Sequence, residues 1–215
     1  MSDDSLWSDY VDETYGISPE EERMLENQEL LWKFTNKSRT GQNLQTNGHL
    51  LGKFIIAGTG SSSFPMRNLN QDQQDTLDRL SKLMALNHRK WGDKLVILSG
   101  GALGWDWYLA HTAHKLGIPY VLSLPNKGYC NYYYGKANEI RLCMQMLDNA
   151  LDTEYVVEDV YNTTGLYLNG KHSNFVRNDR MVNLANAFFV YDPTTPGTKH
   201  CFNSILKKEI PYRIF

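Results

Sequence analysis

Leu98-Ser-Gly-Gly-Ala-Leu-Gly-Trp-Asp106 is the stretch on which the fold turns. The apolar run Leu95-Val-Ile-Leu98 leads into it and reads as a buried strand. Beyond the paired glycines, Trp105, Leu109, Ala113 and Leu116 recur at helical spacing and form one apolar stripe. A strand, a glycine turn and a helix start gather unpaired backbone N–H groups at the positive end of a helix dipole. Such a corner attracts phosphate or another anion.

The same alternation continues on both sides. Before it come a short strand, Lys53-Phe-Ile-Ile-Ala57, a glycine–serine turn, Gly58-Thr-Gly-Ser-Ser-Ser63, and a helix over 70–88 with Leu77, Leu80, Leu83 and Met84 on its apolar side. After it come a strand at Ile118–Leu124, a tyrosine-rich loop from Pro125 to Tyr134, and a helix over about 138–151. A strand at Tyr155–Val160, a helix around Arg177–Asn186, a strand at Ala187–Tyr191, a helix opened by Gly197-Thr198 and a short strand at Ile210–Ile214 complete the pattern. Strands alternating with helices through short loops imply a parallel sheet covered on both faces. The glycine turns then gather at the sheet's carboxyl edge, where open α/β sheets bind ligands.

The chain has 215 residues, enough for one α/β domain and an appendage. Residues 1–30 hold ten acidic side chains and one arginine, a net −9, so 31–215 carry +7 of a total of −2. Ser18-Pro-Glu-Glu21 is a capping box with proline at the first helical position, and it starts a helix in this acidic arm. The polar stretch 35–50 reads as a linker, which gives an N-terminal arm over 1–50 and a domain over 51–215. The arm either stays solvated or folds onto the mildly basic body or a neighbouring subunit. No apolar run nears the roughly 20 residues of a membrane helix. Met1-Ser-Asp-Asp-Ser-Leu6 lacks the order of a secretory signal, and Cys130, Cys143 and Cys201 show no ligand spacing. Reduced thiols and a cytoplasmic setting are expected, with no metal site and no resident cofactor.

Candidate ligand-binding residues follow from the turns. Gly58, Thr59, Gly60 and Ser61 allow close backbone approach and offer hydroxyls, although no GxGxxG and no GxxxxGK[ST] is present. Ser99, Gly100, Gly101 and Asp106 form the central corner, where Asp106 either serves the first helical turn or accepts ligand hydroxyls. Arg177 and Asn178 lie near an expected helix start. There an arginine opposes the dipole and needs an anionic partner, either a ligand or a surface acid. Arg180 reads as a surface or salt-bridge residue. Gly197 and Thr198 make a second anion-friendly helix start. Tyr129, or Tyr132, Tyr133 or Tyr134, either stacks on a base or packs as a lid. Glu139 opens the following helix. His111 and His114 read as surface residues. The basic residues are dispersed, so nucleic-acid binding is not indicated.

These motifs in this order resemble the SLOG superfamily, and its YpsA-like branch most. The branch's strand–SGGAxGxD–helix is matched at Leu98–Asp106. Its later block is matched by Arg177-Asn-Asp-Arg-Met-Val182, Ala187–Tyr191 and Gly197-Thr198. The resemblance spans about 51–215 and implies a Rossmann-like sheet whose glycine turns hold nucleotide-derived ligands. Within the superfamily, LOG-type members hydrolyse the N-glycosidic bond of nucleoside 5′-monophosphates, others sense ADP-ribose-type signals, and DprA binds single-stranded DNA. Two positions depart from the pattern. Thr59-Gly-Ser-Ser62 stands where YpsA-like proteins carry TGHR, and Cys201 stands where LOG enzymes carry a glutamate.

The expectation is a protein that binds a nucleotide-like small molecule as sensor, sponge or regulator, and a homodimer by analogy with the superfamily. An N-glycosidase on a nucleotide is the alternative. There Asp106 or Glu139 would have to act as the catalytic carboxylate, because a thiol cannot do that work at neutral pH. DprA-like binding of single-stranded DNA is a weaker alternative.

Overall fold

The computed structural model describes residues 50–129, 137–157, 167–168 and 171–215. The acidic arm, its expected helix, most of the linker and Tyr132–Tyr134 lie outside the described residues. The elements in chain order are β1 (Phe54–Gly60), α1 (Gln71–Trp91), β2 (Leu95–Ser99), α2 (Trp105–Lys115), β3 (Tyr120–Asn126), α3 (Ala137–Asn149) and β4 (Asp152–Val157). They continue with a two-residue hairpin, β5 (Tyr167–Leu168) and β6 (Lys171–His172), then α4 (Ser173–Leu184), β7 (Ala187–Tyr191), α5 (Pro196–Lys207) and β8 (Tyr212–Ile214).

Six strands form one sheet in the order β4-β3-β2-β1-β7-β8, and every pairing in it is parallel. This is the Rossmann-like α/β arrangement expected from the alternating pattern. Strand order steps one way from β1 through β4 and the other way from β7 to β8. The direction therefore reverses between β1 and β7, and right-handed crossovers then place the later helices on the opposite face. The packing agrees. Helix α2 lies on β1 and β2 through Trp105 and Leu109, while Met181 and Val182 of α4 and Cys201 and Ile205 of α5 join Ile55, Ala57, Leu98, Phe188 and Val190 in one core.

Local signals explain most boundaries. Asn70 and Gln73 form a capping box, with Gln73 N–H donating to Asn70 Oδ1 at 2.9 Å and Asn70 N–H to Gln73 Oε1 at 3.0 Å. The α2 stripe is buried as expected at Trp105, Leu109 and Ala113. Strand β7 coincides with its expected span.

Four expectations change. Gly58-Thr-Gly60 is no turn: it is the end of β1, with Gly58, Thr59 and Gly60 paired to Phe189, Val190 and Tyr191. Helix α4 starts four residues early, capped by His172, whose Nδ1 accepts from Asn174 N–H at 3.2 Å, so Arg177 lies in its second turn. Strand β4 begins at Asp152 rather than Tyr155. Cys143 is disulfide-bonded, against the expectation of three reduced thiols, whereas Cys201 is free. No helix among the described residues is long and apolar enough to cross a membrane.

Candidate functional site

The central corner is built from the backbone outward. Ser99 is fully buried at the end of β2, and its hydroxyl donates to the Asp106 carbonyl at 2.7 Å while accepting from Gly101 N–H at 3.2 Å. One side chain thus fastens the turn to the first turn of α2. Gly101 and Gly104 hold φ of 67° and 80°, a region that disfavours other residues. Gly100 is needed for space: a Cβ there would fall on the Arg177 guanidinium and within 2.5 Å of Asp106 Oδ2.

That space is filled by two opposite charges. Arg177 Nη1 donates to the Gly100 carbonyl and lies 3.9 Å from Asp106 Oδ2, with both side chains less than a tenth exposed. Burial pushes the Asp106 carboxyl up to about 6. The Arg177 charge and the backbone N–H groups of Ala102 and Gly60 pull the other way. The corner that sequence reads as an anion site therefore already holds an anion, its own aspartate. The pair is not saturated: Asp106 Oδ1 and Arg177 Nε are buried and have no hydrogen-bond partner among the described residues. Such atoms are costly, and in native proteins they find a partner, water or ligand.

Around this pair the other strand ends contribute hydroxyls and amides. Thr59 points to the α4–α5 face, where its hydroxyl meets the Cys201 thiol. Burial pushes that thiol up to about 12, against the opposing pull of the Thr59 hydrogen bond and the Arg177 charge. Asn178 Nδ2 donates to the Gly197 carbonyl at 3.2 Å, which ties α4 to the start of α5. Thr198 is buried and accepts from the Thr195 hydroxyl at 3.0 Å, and nothing lies within 4 Å of where a Gly197 Cβ would stand. Ser61 is buried at the end of β1, its hydroxyl 2.5 Å from that of Ser63, and its carbonyl receives Trp105 N–H at 3.5 Å.

Of the residues expected from sequence, Ser99, Gly100, Gly101, Asp106 and Arg177 meet at this corner, whereas Thr59 meets Cys201 and Asn178 meets Gly197. Gly58 and Gly60 serve packing instead: a Cβ on either would strike Leu109 or the Trp105 ring. Tyr129 is fully buried, which leaves it no exposed ring face at the edge. Glu139 lies in the first turn of α3, half-buried. Arg180 forms the expected salt bridge, to Glu154 at 3.3 Å, and Glu154 also accepts from Ser123 at 2.6 Å. His111 is no open surface residue. It stacks on Trp107 with ring centroids 4.5 Å apart, and burial lowers its pKa to about 4.

Sequence reasoning missed an aromatic group beside the corner. Trp105 stacks on Tyr191 at 5.1 Å, and Phe64 meets both rings, at 5.8 and 4.8 Å. The sequence shows only that Tyr191 ends an apolar strand; that this strand lies beside β1 comes from the sheet order.

No known family profile matches the chain, and no curated protein matches it. Solved structures do. DNA processing protein A from Helicobacter pylori, whose single-stranded DNA binding mode has been described structurally, superposes with a TM-score of 0.53 at 21% identity, over 79% of this chain and 68% of that one. DNA processing protein A from Streptococcus pneumoniae superposes with a TM-score of 0.52 at 16% identity, over 78% of this chain and 52% of the other. The shared feature is the fold. The α/β, Rossmann-like architecture inferred from the alternating pattern is that of these proteins.

Proposed function

We propose that the chain binds a phosphate-bearing nucleotide ligand at the carboxyl edge of its sheet and holds it without cutting it. The observation that carries this reading is the buried Asp106–Arg177 pair with an unpartnered acceptor and an unpartnered donor. Asp106 Oδ1 suits a ribose hydroxyl and Arg177 Nε suits a phosphate oxygen, while Ser99, Asn178 and Thr198 add polar groups around them. Cys201, buried and protonated where LOG-type enzymes carry a glutamate, supports holding over hydrolysis.

The test is titration calorimetry with nucleoside monophosphates and dinucleotides, run beside an assay for free base. Stoichiometric binding without base release is expected. Arg177→Met, which keeps the stem and removes the charge, should weaken phosphate-bearing ligands about ten- to hundredfold. Base release that disappears in Asp106→Asn with binding intact would make the protein an N-glycosidase. The raised Asp106 carboxyl is the observation that favours that second reading.

The likeness to DNA processing protein A, and the +7 carried by residues 31–215, support a further alternative in which the phosphate belongs to single-stranded DNA. A salt-sensitive mobility shift with oligothymidylate, in the absence of mononucleotide binding, would replace the small-ligand reading with this one.

A further inference from the structure

The direction of the sheet reverses between β1 and β7, so the crevice outside their carboxyl ends is where a parallel α/β sheet opens to a ligand. Gly60 ends β1 there, and its ladder partner is Tyr191, the last residue of β7. Three features meet at Gly60. Its N–H favours the Asp106 carboxylate, its missing side chain leaves room for the Trp105 ring, and its neighbour across the ladder is Tyr191. The polar pair and the aromatic group are therefore one residue apart.

Within that group the rings differ in depth. Trp105 and Phe64 are closed off at 0% and 2% exposure, whereas Tyr191 is half-buried, as is Phe215, which also packs on Trp105. Trp105 and Tyr191 lie nearly parallel, 21° apart, and Phe64 meets Tyr191 edge-on at 81°. Two buried rings thus fix the plane of an accessible one. A preset aromatic plane beside a ribose- and phosphate-binding pair is what a flat, unpaired base stacks on. Trp105 Nε1 adds a buried donor with no partner among the described residues, on the ring that backs Tyr191.

We propose that Tyr191, held by Trp105 and Phe64, is the base-stacking residue of this site, so that the ligand is recognised as a nucleobase joined to a phosphate. The proposal rests on the nucleotide-site reading above. A base from a free nucleotide and a base from an unpaired strand present the same chemistry, and the arms of the experiment separate them.

The full chain is titrated with adenosine 5′-monophosphate, ribose 5-phosphate and oligothymidylate, using the wild type, Tyr191→Phe and Tyr191→Leu. Leucine keeps apolar packing against Trp105 and removes the π-face, and melting curves check that each variant folds. The wild type should bind the monophosphate more tightly than ribose 5-phosphate. Tyr191→Leu should weaken the monophosphate about five- to hundredfold while leaving ribose 5-phosphate unchanged, and Tyr191→Phe should bind as the wild type does. The same loss with oligothymidylate would support stacking with a strand as the source of the base, and a loss confined to the monophosphate assigns it to a free nucleotide. Equal losses for the monophosphate and ribose 5-phosphate, or no loss in Tyr191→Leu, would overturn the proposal. A wild type that binds ribose 5-phosphate but gains nothing from the base overturns stacking alone. One that binds none of the three probes overturns the site itself.

Discussion

Gly58-Thr-Gly60 and Ser99-Gly-Gly101 look alike in sequence, each a glycine pair at the end of an apolar strand, and they do different work. Gly58 and Gly60 are paired into β1, and their missing side chains let Leu109 and Trp105 of α2 press onto the sheet. Gly100 leaves the strand, and its missing side chain makes room for the Arg177 guanidinium and the Asp106 carboxylate. The first pair is filled by hydrocarbon; in the second, Gly100 is filled by charge and Gly101 by the Leu124 side chain. A glycine that admits a rigid ring bears on stability, and, on the proposed function, one that admits a flexible cation at a sheet edge bears on binding.

Substitution of each glycine by alanine tests that contrast most sharply. At Gly60 the new methyl meets the Cβ and ring of Trp105, which Tyr191, Phe64 and Phe215 wedge in place. Gly60→Ala should cost about 3 kcal/mol through overpacking. For a chain of this size that is a fall in Tm of roughly 6–12 °C. At Gly100 the nearest atoms are the far ends of Arg177 and Asp106, which can swing aside. Gly100→Ala should therefore shift Tm less and weaken phosphate-bearing ligands about tenfold, as Arg177 loses its seat on the Gly100 carbonyl. A Gly100→Ala protein that melts as low as Gly60→Ala while binding normally would erase the distinction.

The buried charged pair should also show itself in the pH dependence of stability. Asp106 titrates near 6 in the folded chain against 3.8 as an ordinary carboxyl. The folded state therefore holds its proton more tightly, and this group's contribution is fully present below about pH 4 and lost as pH rises through 6. The shift corresponds to at most about 3 kcal/mol. Asp106→Asn should flatten the pH 4–6 slope and raise stability at pH 7 while weakening ribose-bearing ligands. Denaturant midpoints at pH 4, 5, 6 and 7 read the slope directly. A wild-type curve without it would mean that Arg177 compensates the carboxylate in full.

These tests bear on residues that the sequence revealed unevenly. The strand–glycine–helix unit at Leu95–Lys115 was legible because two periodicities met at one turn, and Arg177 was legible as a charge without an obvious partner. Local pattern could not say that the partner was Asp106, 71 positions earlier, because that pairing exists only once α4 crosses the sheet. The glycines of β1 misled for the same reason. Glycine punctuates turns in a sequence, yet here its use is set by the helix packed above it. The sequence pattern places the start of α4 late because histidine at a cap is a weaker signal than serine or aspartate. The Trp105–Tyr191 stack joins two residues whose nearness follows from strand order, and the sequence does not state that order.

The smallest expected effect lies beside the charged pair, at Cys201. The thiol is buried on the α4–α5 face against the Thr59 hydroxyl, and its pKa of about 12 leaves about one molecule in ten thousand ionised at pH 8. Iodoacetamide should not modify it in the folded chain and should modify it readily in denaturant. Cys201→Ser keeps a hydrogen-bonding group toward Thr59 and should cost about 1 kcal/mol, seen as a Tm lower by a few degrees with ligand affinity unchanged. Rapid modification of native Cys201 at pH 8 would place a thiolate below the Arg177 charge. A nucleophile would then lie beside the Asp106–Arg177 pair, and the contrast between the two glycine pairs would have to include chemistry.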